Sequence, residues 1–166
     1  MDFTREIKVG KLFIYPTDTI YGVGCDADNT AAVEKLRDMK KRPTNPFSVI
    51  APSKGWIREH CIVSEKAEEW LAKLPGPYTL ILPLKRGGTL GIRIPDHWIK
   101  DIVQELDCPI ITTSVNLAGE QPITQVQDVP LAMKRYIDFA IDDGLLSGRP
   151  SSIVYLDKEN AMMKER

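Results

Sequence analysis

Two positively charged residues at the end of one predicted helix are suited to bind phosphate. Lys40 and Arg42 close a helix that the apolar spacing predicts over residues 30–41, and Pro43 ends it. Asn45 follows at once and leads into a predicted strand, so the guanidinium and the amide can converge on one pocket. An Arg side chain binds phosphate through two parallel hydrogen bonds. Positive charges at a helix end also complement the helix dipole without binding anything, but the Asn-Pro sequence that follows favours an anion site.

Hydroxyl and amide side chains leave the end of another predicted strand at Thr112, Ser114 and Asn116. Residues two apart in a strand point to the same side, so Ser114 and Asn116 could together bind a phosphate or a ribose. An Asx or Ser turn that caps the next segment has the same composition. The motif leaves both interpretations open.

Arg93 interrupts the apolar strand pattern of residues 91–94. A buried Arg requires an anion, which is either a ligand or the carboxylate of a structural salt bridge. Ser151 lies in a Gly/Pro/Ser loop whose backbone N–H groups and hydroxyls suit an anion, although ordinary turn chemistry also accounts for that loop. A Pro/Thr/Gly turn over residues 16–25 offers further hydroxyls and accessible backbone N–H groups. Together these features indicate a site for a small polar anion, and a nucleotide is the obvious candidate.

Several familiar catalytic motifs are absent from the sequence. It contains no Gly-x-x-x-x-Gly-Lys-Ser/Thr loop, and Gly22-Val-Gly24 lacks the third Gly and the acidic partner of a dinucleotide fingerprint. His60 and His97 have no partner at a metal-binding spacing, and nothing matches a Gly-x-Ser-x-Gly nucleophile elbow. Three acidic residues flank the first turn, where Asp is common, so no metal ligand is assigned to protein side chains.

The composition is that of an ordinary globular chain of 166 residues, 43% apolar and 27% charged, with a formal net charge of −1. This length predicts one domain over residues 1–166. No apolar run approaches the roughly 18 residues of a membrane span, and the N-terminus shows no secretory signal. The three widely spaced cysteines fit reduced thiols, so we expect a cytoplasmic protein without a membrane partner. Any RNA partner would need a local basic patch.

Apolar periodicity alternates between strands and helices along the chain. About seven strands and five helices are predicted, which favours an α/β (α+β) fold with one mixed sheet. The candidate residues lie mostly at strand ends, where open sheets bind ligands. The polar segment 157–166 is expected to fray. The predicted strands span residues 11–15, 46–51, 78–84, 91–94, 109–113, 139–142 and 152–156, and the predicted helices span 30–41, 54–61, a segment capped by Ser64, 97–105 and 128–136.

Six motifs, taken in order, resemble the YrdC-like threonylcarbamoyl-AMP synthase family. The resemblance extends over residues 13–156, and the chain looks like the short, stand-alone form of that family. An ordered set of this size is specific, whereas any one motif alone would be weak. The motifs are Tyr15-Pro-Thr-Asp-Thr-Ile-Tyr-Gly-Val-Gly, Lys40-Lys-Arg-Pro, Pro75-Gly-Pro-Tyr-Thr79, Arg93-Ile-Pro, Ser114-Val-Asn and Pro150-Ser-Ser-Ile-Val.

The resemblance implies a YrdC-type twisted sheet with a deep basic cavity, and the activity of an L-threonylcarbamoyladenylate synthase, a nucleotidyltransferase. Such an enzyme joins L-threonine, bicarbonate and ATP, with Mg²⁺ accompanying the ATP, and releases pyrophosphate. A separate transferase then uses the product to modify tRNA. By motif, Lys40 and Arg42 are the expected catalytic residues, and Thr19, Arg93 and Thr112 are expected to bind L-threonine. The expected nucleotide-binding residues are Lys40, Arg42, Asn45, Thr89, Ser114, Asn116 and Ser151.

The chain departs from the family pattern at three places. Ile50 stands where longer members often carry His, and the segment between Arg42 and Pro46 is one residue shorter than in many relatives. The Arg that closes over the adenylate in some relatives corresponds to Arg166 or Lys164. Two alternatives remain open. One is a paralogue that acts on another carbamoylated substrate, and the other is a non-catalytic module that binds RNA or tRNA.

Overall fold

The strands of the described chain form one mixed sheet flanked by helices, which confirms the α/β (α+β) prediction. The computed structural model describes residues 1–146, 148–159 and 161–166. In chain order the elements are α1 (Phe3–Lys8), β1 (Phe13–Tyr15), β2 (Gly22–Gly24), α2 (Thr30–Lys40), β3 (Ser48–Ile50), α3 (Lys54–His60), α4 (Glu65–Leu71), β4 (Tyr78–Pro83), β5 (Thr89–Arg93), α5 (Ile99–Leu106), β6 (Ile110–Ser114), a 3₁₀ turn (Val126–Asp128), α6 (Leu131–Lys134), β7 (Phe139–Ala140), β8 (Ser152–Tyr155) and β9 (Met162–Lys164). Across the sheet the strands follow the order β7-β1-β2-β6-β3-β5-β4-β8-β9. None of the described helices is long and apolar enough to cross a membrane.

Local capping explains where the helix that precedes the Lys/Arg pair begins and ends. The side chain of Asn29 accepts a hydrogen bond from the backbone N–H of Ala32, as expected for an N-cap. At the other end Lys41 adopts a left-handed backbone with φ of 52°. The chain therefore turns sharply between Lys40 and Arg42, and the two side chains leave the helix end in different directions.

Four elements differ from the sequence predictions. Helix α1 was not predicted, and β2 lies in a segment predicted as a turn. The prediction that the tail frays is wrong, because β9 pairs antiparallel with β8. The helix predicted over residues 128–136 is reduced to α6, which begins after Pro130, a residue that cannot continue a preceding helix.

The sequence pattern does not predict strand β2, because two of its three residues are glycines. A Cβ added to Gly24 would overlap the carbonyl oxygen of Ile111, and one added to Gly22 would lie 2.8 Å from the ring of Tyr15. Both positions are thus filled by neighbours from β1 and β6. Glycine here reflects the close approach of other groups rather than a turn.

The two faces of the sheet are covered differently. One face packs on a large apolar core that includes Val23, Val49 and Ile111. The opposite face is divided. Its first part is covered by α1 and α5 and forms a smaller core around Phe13 and Ile50, and its second part is an open polar cavity.

Candidate active site

A polar cavity of about 280 Å³ lies where strands β2, β3, β5 and β6 emerge from beneath the helices. It gathers side chains from widely separated parts of the chain. Five of the predicted site residues line it, namely Arg42, Arg93, Thr112, Ser114 and Ser151. Further hydroxyls line it, from Thr17 in the turn predicted over residues 16–25, and from Ser48 and Thr79, which were not predicted. Ser48 and Thr79 could have been predicted as site residues, because each is a polar residue in a predicted strand, on the face opposite its buried apolar neighbour.

Arg93 is the most deeply buried charge of the site, with 6% of its surface exposed. Its Nη2 donates to Asp18 Oδ1 over 2.7 Å, and its Nη1 donates to Thr19 Oγ1 over 3.2 Å. Its Nε is buried and has no hydrogen-bond partner among the described residues. Burial is the main cause that lowers the pKa of Arg93, and the Asp18 carboxylate opposes that effect. The two hydrogen bonds hold the guanidinium firmly against the loop between β1 and β2.

The loop between β1 and β2 is fixed by its own hydroxyls. Thr17 Oγ1 accepts hydrogen bonds from the backbone N–H groups of Thr19 and Ile20, over 3.1 and 3.3 Å. The hydroxyls of Thr17 and Thr19 share a further hydrogen bond of 3.0 Å. Both threonines are 3% exposed. Thr19 therefore lies against Arg93 in a fixed position, and its contact with an amino acid stays a prediction.

Lys40 contacts the turn that follows β6. Its Nζ donates to the carbonyl oxygens of Ser114 and Asn116 over 2.8 and 2.9 Å, and to Asn116 Oδ1 over 3.1 Å. These three bonds use all three N–H groups of an ammonium. Burial, followed by the charge of Arg42, lowers the pKa of Lys40 to about 8. In this geometry Lys40 shapes the Ser114–Asn116 turn, and its direct contact with a phosphate stays a prediction.

Arg42 lies at the cavity wall and is only partly buried. Its guanidinium carbon is 4.8 Å from the centre of the Phe47 ring, and its Nη2 donates to the carbonyl oxygen of Pro46 over 2.9 Å. No carboxylate among the described residues forms an ion pair with Arg42. Arg42 is therefore an uncompensated positive charge that faces the cavity.

The tail contributes a further cation to the same cavity. Arg166 Nε donates to the carbonyl oxygen of Ser151 over 2.9 Å, and its Nη2 donates to Ser151 Oγ over 2.7 Å. Ser151 Oγ also lies 2.7 Å from Thr79 Oγ1. Of the two tail residues that the family pattern left open, Arg166 lines the cavity, whereas Lys164 lies in β9 and is exposed.

Five predicted residues are not among the described residues that line the cavity, namely Thr19 and Lys40, described above, and Asn45, Thr89 and Asn116. Asn45 is exposed beside Pro46, and its carbonyl oxygen accepts a hydrogen bond from Arg37. Thr89 is exposed at the start of β5, four residues and roughly 13 Å along the strand from Arg93. Asn116 supports the turn through Ser114 Oγ, which donates to its Oδ1 over 2.6 Å. Direct nucleotide contacts by Asn45, Thr89 and Asn116 stay predictions.

Ile50, one of the three departures from the expected family pattern, does not line the cavity. It is fully buried in the smaller core and is paired with Arg93 across β3 and β5. This position therefore contributes packing rather than a polar contact in the present chain.

Residues 5–165 match the sequence model of the Sua5/YciO/YrdC family, which is described as telomere recombination. The chain belongs to this family. A relative from Methanocaldococcus jannaschii, named "Putative threonylcarbamoyl-AMP synthase", is 35% identical across 93% of this chain and 79% of its own length. These findings confirm the resemblance that the six motifs indicate.

Solved structures of Sua5/YciO/YrdC proteins share the fold. Sua5 of P. abyssi, crystallised in complex with L-threonine, is 29% identical and superposes with a TM-score of 0.85 over 97% of this chain. YciO of E. coli superposes with a TM-score of 0.86 over 99% of this chain and 86% of its own, at 21% identity, and shows the fold alone. The present chain covers 52% of the P. abyssi Sua5 chain.

Proposed function

We propose that the protein is an L-threonylcarbamoyladenylate synthase, which converts L-threonine, bicarbonate and ATP into threonylcarbamoyl-AMP and pyrophosphate. The observation that carries the proposal is a single cavity in which Arg93, neutralised by Asp18, lies together with the uncompensated Arg42 and Arg166. Such a cavity suits an amino acid next to a polyphosphate. The name of the M. jannaschii relative and the L-threonine complex of P. abyssi Sua5 support the same assignment.

The reaction needs no nucleophile from the protein. The amine of threonine adds to carbon dioxide derived from bicarbonate, and loss of a proton leaves a carbamate. A carbamate oxygen then attacks the α-phosphorus of ATP, and the bond to the bridging oxygen breaks, which releases pyrophosphate. Carbamate and phosphate are both anions, and two unit charges 4 Å apart repel by ~4 kcal/mol at an effective dielectric of 20. The protein must therefore hold two anions together and compensate their charge.

The cavity residues can divide this work between the two substrates. Thr19 and Arg93, with the backbone of Thr112, would hold threonine, because Arg93 lines the cavity and its guanidinium can donate to a carboxylate. Arg42 would stabilise the charge that develops on the phosphates, as a catalytic residue. The further nucleotide contacts that we propose are Asn45, Thr89, Ser114, Asn116, Ser151 and Arg166, with Lys40 as the support of the Ser114–Asn116 turn.

Magnesium fits this site as part of the substrate rather than as a resident metal. The described residues contain no group of three or more His, Cys, Asp or Glu side chains that could hold a metal ion. The one acidic residue beside Arg93, Asp18, already accepts two hydrogen bonds. Mg²⁺ commonly binds through substrate phosphates and few protein ligands, and we propose that it enters with ATP and neutralises part of the phosphate charge.

The test is a pyrophosphate-release assay with ATP and Mg²⁺, in which L-threonine and bicarbonate are omitted in turn. We expect release only when both are present, together with a stoichiometric adenylate product. The same protein is then titrated with tRNA at low and high salt. RNA binding that weakens steeply with salt, without any threonine-dependent turnover, would support the binding module and reject the synthase. In the synthase case, a separate transferase would use the product for tRNA threonylcarbamoyladenosine modification.

A further inference from the structure

Asp18 is the acidic residue that neutralises an arginine of the cavity. Its Oδ1 accepts from Arg93 Nη2 over 2.7 Å, and its Oδ2 accepts from the backbone N–H of Asp96 over 2.9 Å. Both members of the ion pair are largely buried, with 7% of the Arg93 side chain and 12% of the Asp18 side chain exposed. The carboxylate therefore lies behind the guanidinium, fixed from two sides, and does not itself line the cavity.

The other two arginines of the cavity lack such a partner. Within the described part of the chain, Arg42 donates only to the carbonyl oxygen of Pro46, and Arg166 donates only to Ser151. Neither forms an ion pair with a carboxylate. One cavity thus has a part that is electrically balanced, at Arg93, and a part with excess positive charge.

We propose that Asp18 is a positioning residue that sets ligand specificity by dividing this cavity into an amino-acid half and a phosphate half. The proposal rests on the synthase function proposed above and extends it. An amino-acid zwitterion carries no net charge and matches the balanced Arg93–Asp18 pair. A phosphate group carries up to two negative charges, so the buried Asp18 carboxylate repels it, and it is directed to Arg42 and Arg166.

Asp18 also holds the Nη2 end of the Arg93 guanidinium. One N–H of Nη2 donates to Asp18, and one N–H of Nη1 donates to Thr19. A guanidinium released from Asp18 can present the free edge at Nη2 to the cavity, and such a two-pronged edge matches phosphate. Loss of Asp18 therefore changes both the charge and the geometry of the amino-acid half.

The experiment measures equilibrium binding by calorimetry, without ATP, for the wild type, D18N, D18S and the double variant D18N/R93Q. L-Threonine is titrated with and without inorganic phosphate. In the wild type we expect phosphate to leave threonine binding unchanged. In D18N and D18S we expect phosphate to displace threonine, and the ratio of threonine affinity to phosphate affinity to fall at least about tenfold, as for loss of one charge-assisted hydrogen bond. In the double variant the competing phosphate site should disappear, because no unbalanced arginine remains there.

Asp138 provides a matched control, since its carboxylate also accepts from a backbone N–H, that of Leu12, and from a cation, Lys35. D138N should keep the wild-type binding pattern even if it melts at a lower temperature. Threonine binding that phosphate does not affect in a folded D18N or D18S variant overturns the role of Asp18 alone. A wild type that binds no threonine overturns the synthase proposal as well. Measuring two substitutions of Asp18 guards against one of them failing to fold.

Discussion

One face of the sheet carries two regions of opposite character, the smaller apolar core and the polar cavity. Along β3 the inward-facing residue changes from Ile50 in the core to Ser48 at the cavity. Along β6 it changes from Ile110 in the core to Thr112 and Ser114 at the cavity. The strands are continuous across the boundary. The change coincides with the limit of the cover that α1 and α5 provide, so the covered part of the face contributes stability and the uncovered part contributes the site.

The difference shows why the site is rigid without being apolar. Polar side chains of the cavity such as Ser48, Arg93 and Thr112 stand on strands that also contribute residues to a packed core. Their remaining freedom is removed by hydrogen bonds such as those of Thr17, Thr19 and Lys40. Groups held in this way can stabilise charge in a transition state without reorganising.

The largest effect on stability is expected where β3 lies in the core. Ile50→Ala should reduce the free energy of unfolding by about 2–5 kcal/mol, because it leaves a cavity among fully buried neighbours. Ser48→Ala, two residues earlier on the same face, should cost less than about 1 kcal/mol. Denaturant unfolding of the two variants measures the contrast, and equal losses would contradict the division of the face.

The largest effect on activity is expected in the cavity. Arg42→Ala should slow adenylate formation at least about 100-fold, since it removes a contact to the phosphate charge that develops in the transition state. The thermal stability should change little, because Arg42 is only partly buried. Pyrophosphate release at saturating substrates measures the rate. The control is Arg58→Ala, which removes an exposed arginine paired with Glu68 and should keep the wild-type rate. A wild-type rate for Arg42→Ala would reject the catalytic role of Arg42.

A smaller effect is expected at the loop that leads to Ser151. A Cβ at Gly148 would overlap the carbonyl oxygen of Thr19, so Gly148→Ala must move the two loops apart. We expect the KM for threonine to rise about tenfold, in line with a small misplacement of a binding group. Gly55→Ala, whose added Cβ meets nothing closer than 3.6 Å, should leave the KM unchanged. An unchanged KM in Gly148→Ala would show that this close contact is not needed for binding.

The smallest effect is a pH dependence of stability from Lys40. The pKa of Lys40 is about 8 in the folded chain, below its ordinary value of 10.5. Between these values the unfolded chain binds more protons, so the contribution of Lys40 to stability is least favourable below about pH 8 and rises as the pH rises through that window. The unfolding free energy of the wild type minus that of Lys40→Met should therefore increase from about pH 7.5 to about pH 9.5. A value that decreases over this range would contradict the burial of the Lys40 charge.

The sequence predicted most of the elements and missed three short ones, α1, β2 and β9. Helix α2 was predicted over residues 30–41, close to its observed range Thr30–Lys40, because its apolar spacing and its end signals agree. Strand β2 was missed because glycine is not typical of strands. Its two glycines make room for the Tyr15 ring and the Ile111 carbonyl oxygen, and these contacts form only when β1, β2 and β6 pair. Strand β9 was missed because its exposed residues gain order from pairing with β8 and not from their own composition.

The sequence by itself determined the class of fold and the family, because periodicity, turn residues and ordered motifs are local properties of the chain. It also identified Arg42, Arg93 and Ser114, whose types and positions are unusual for a strand or a helix end. Only the tertiary structure decided that these side chains share one cavity, that Arg166 joins them, and that Asp18 neutralises Arg93 but leaves Arg42 without a carboxylate. The physical reason is that charge balance and burial depend on distances between residues far apart in the sequence, such as Asp18 and Arg93, which are 75 positions apart, and no local pattern records such distances.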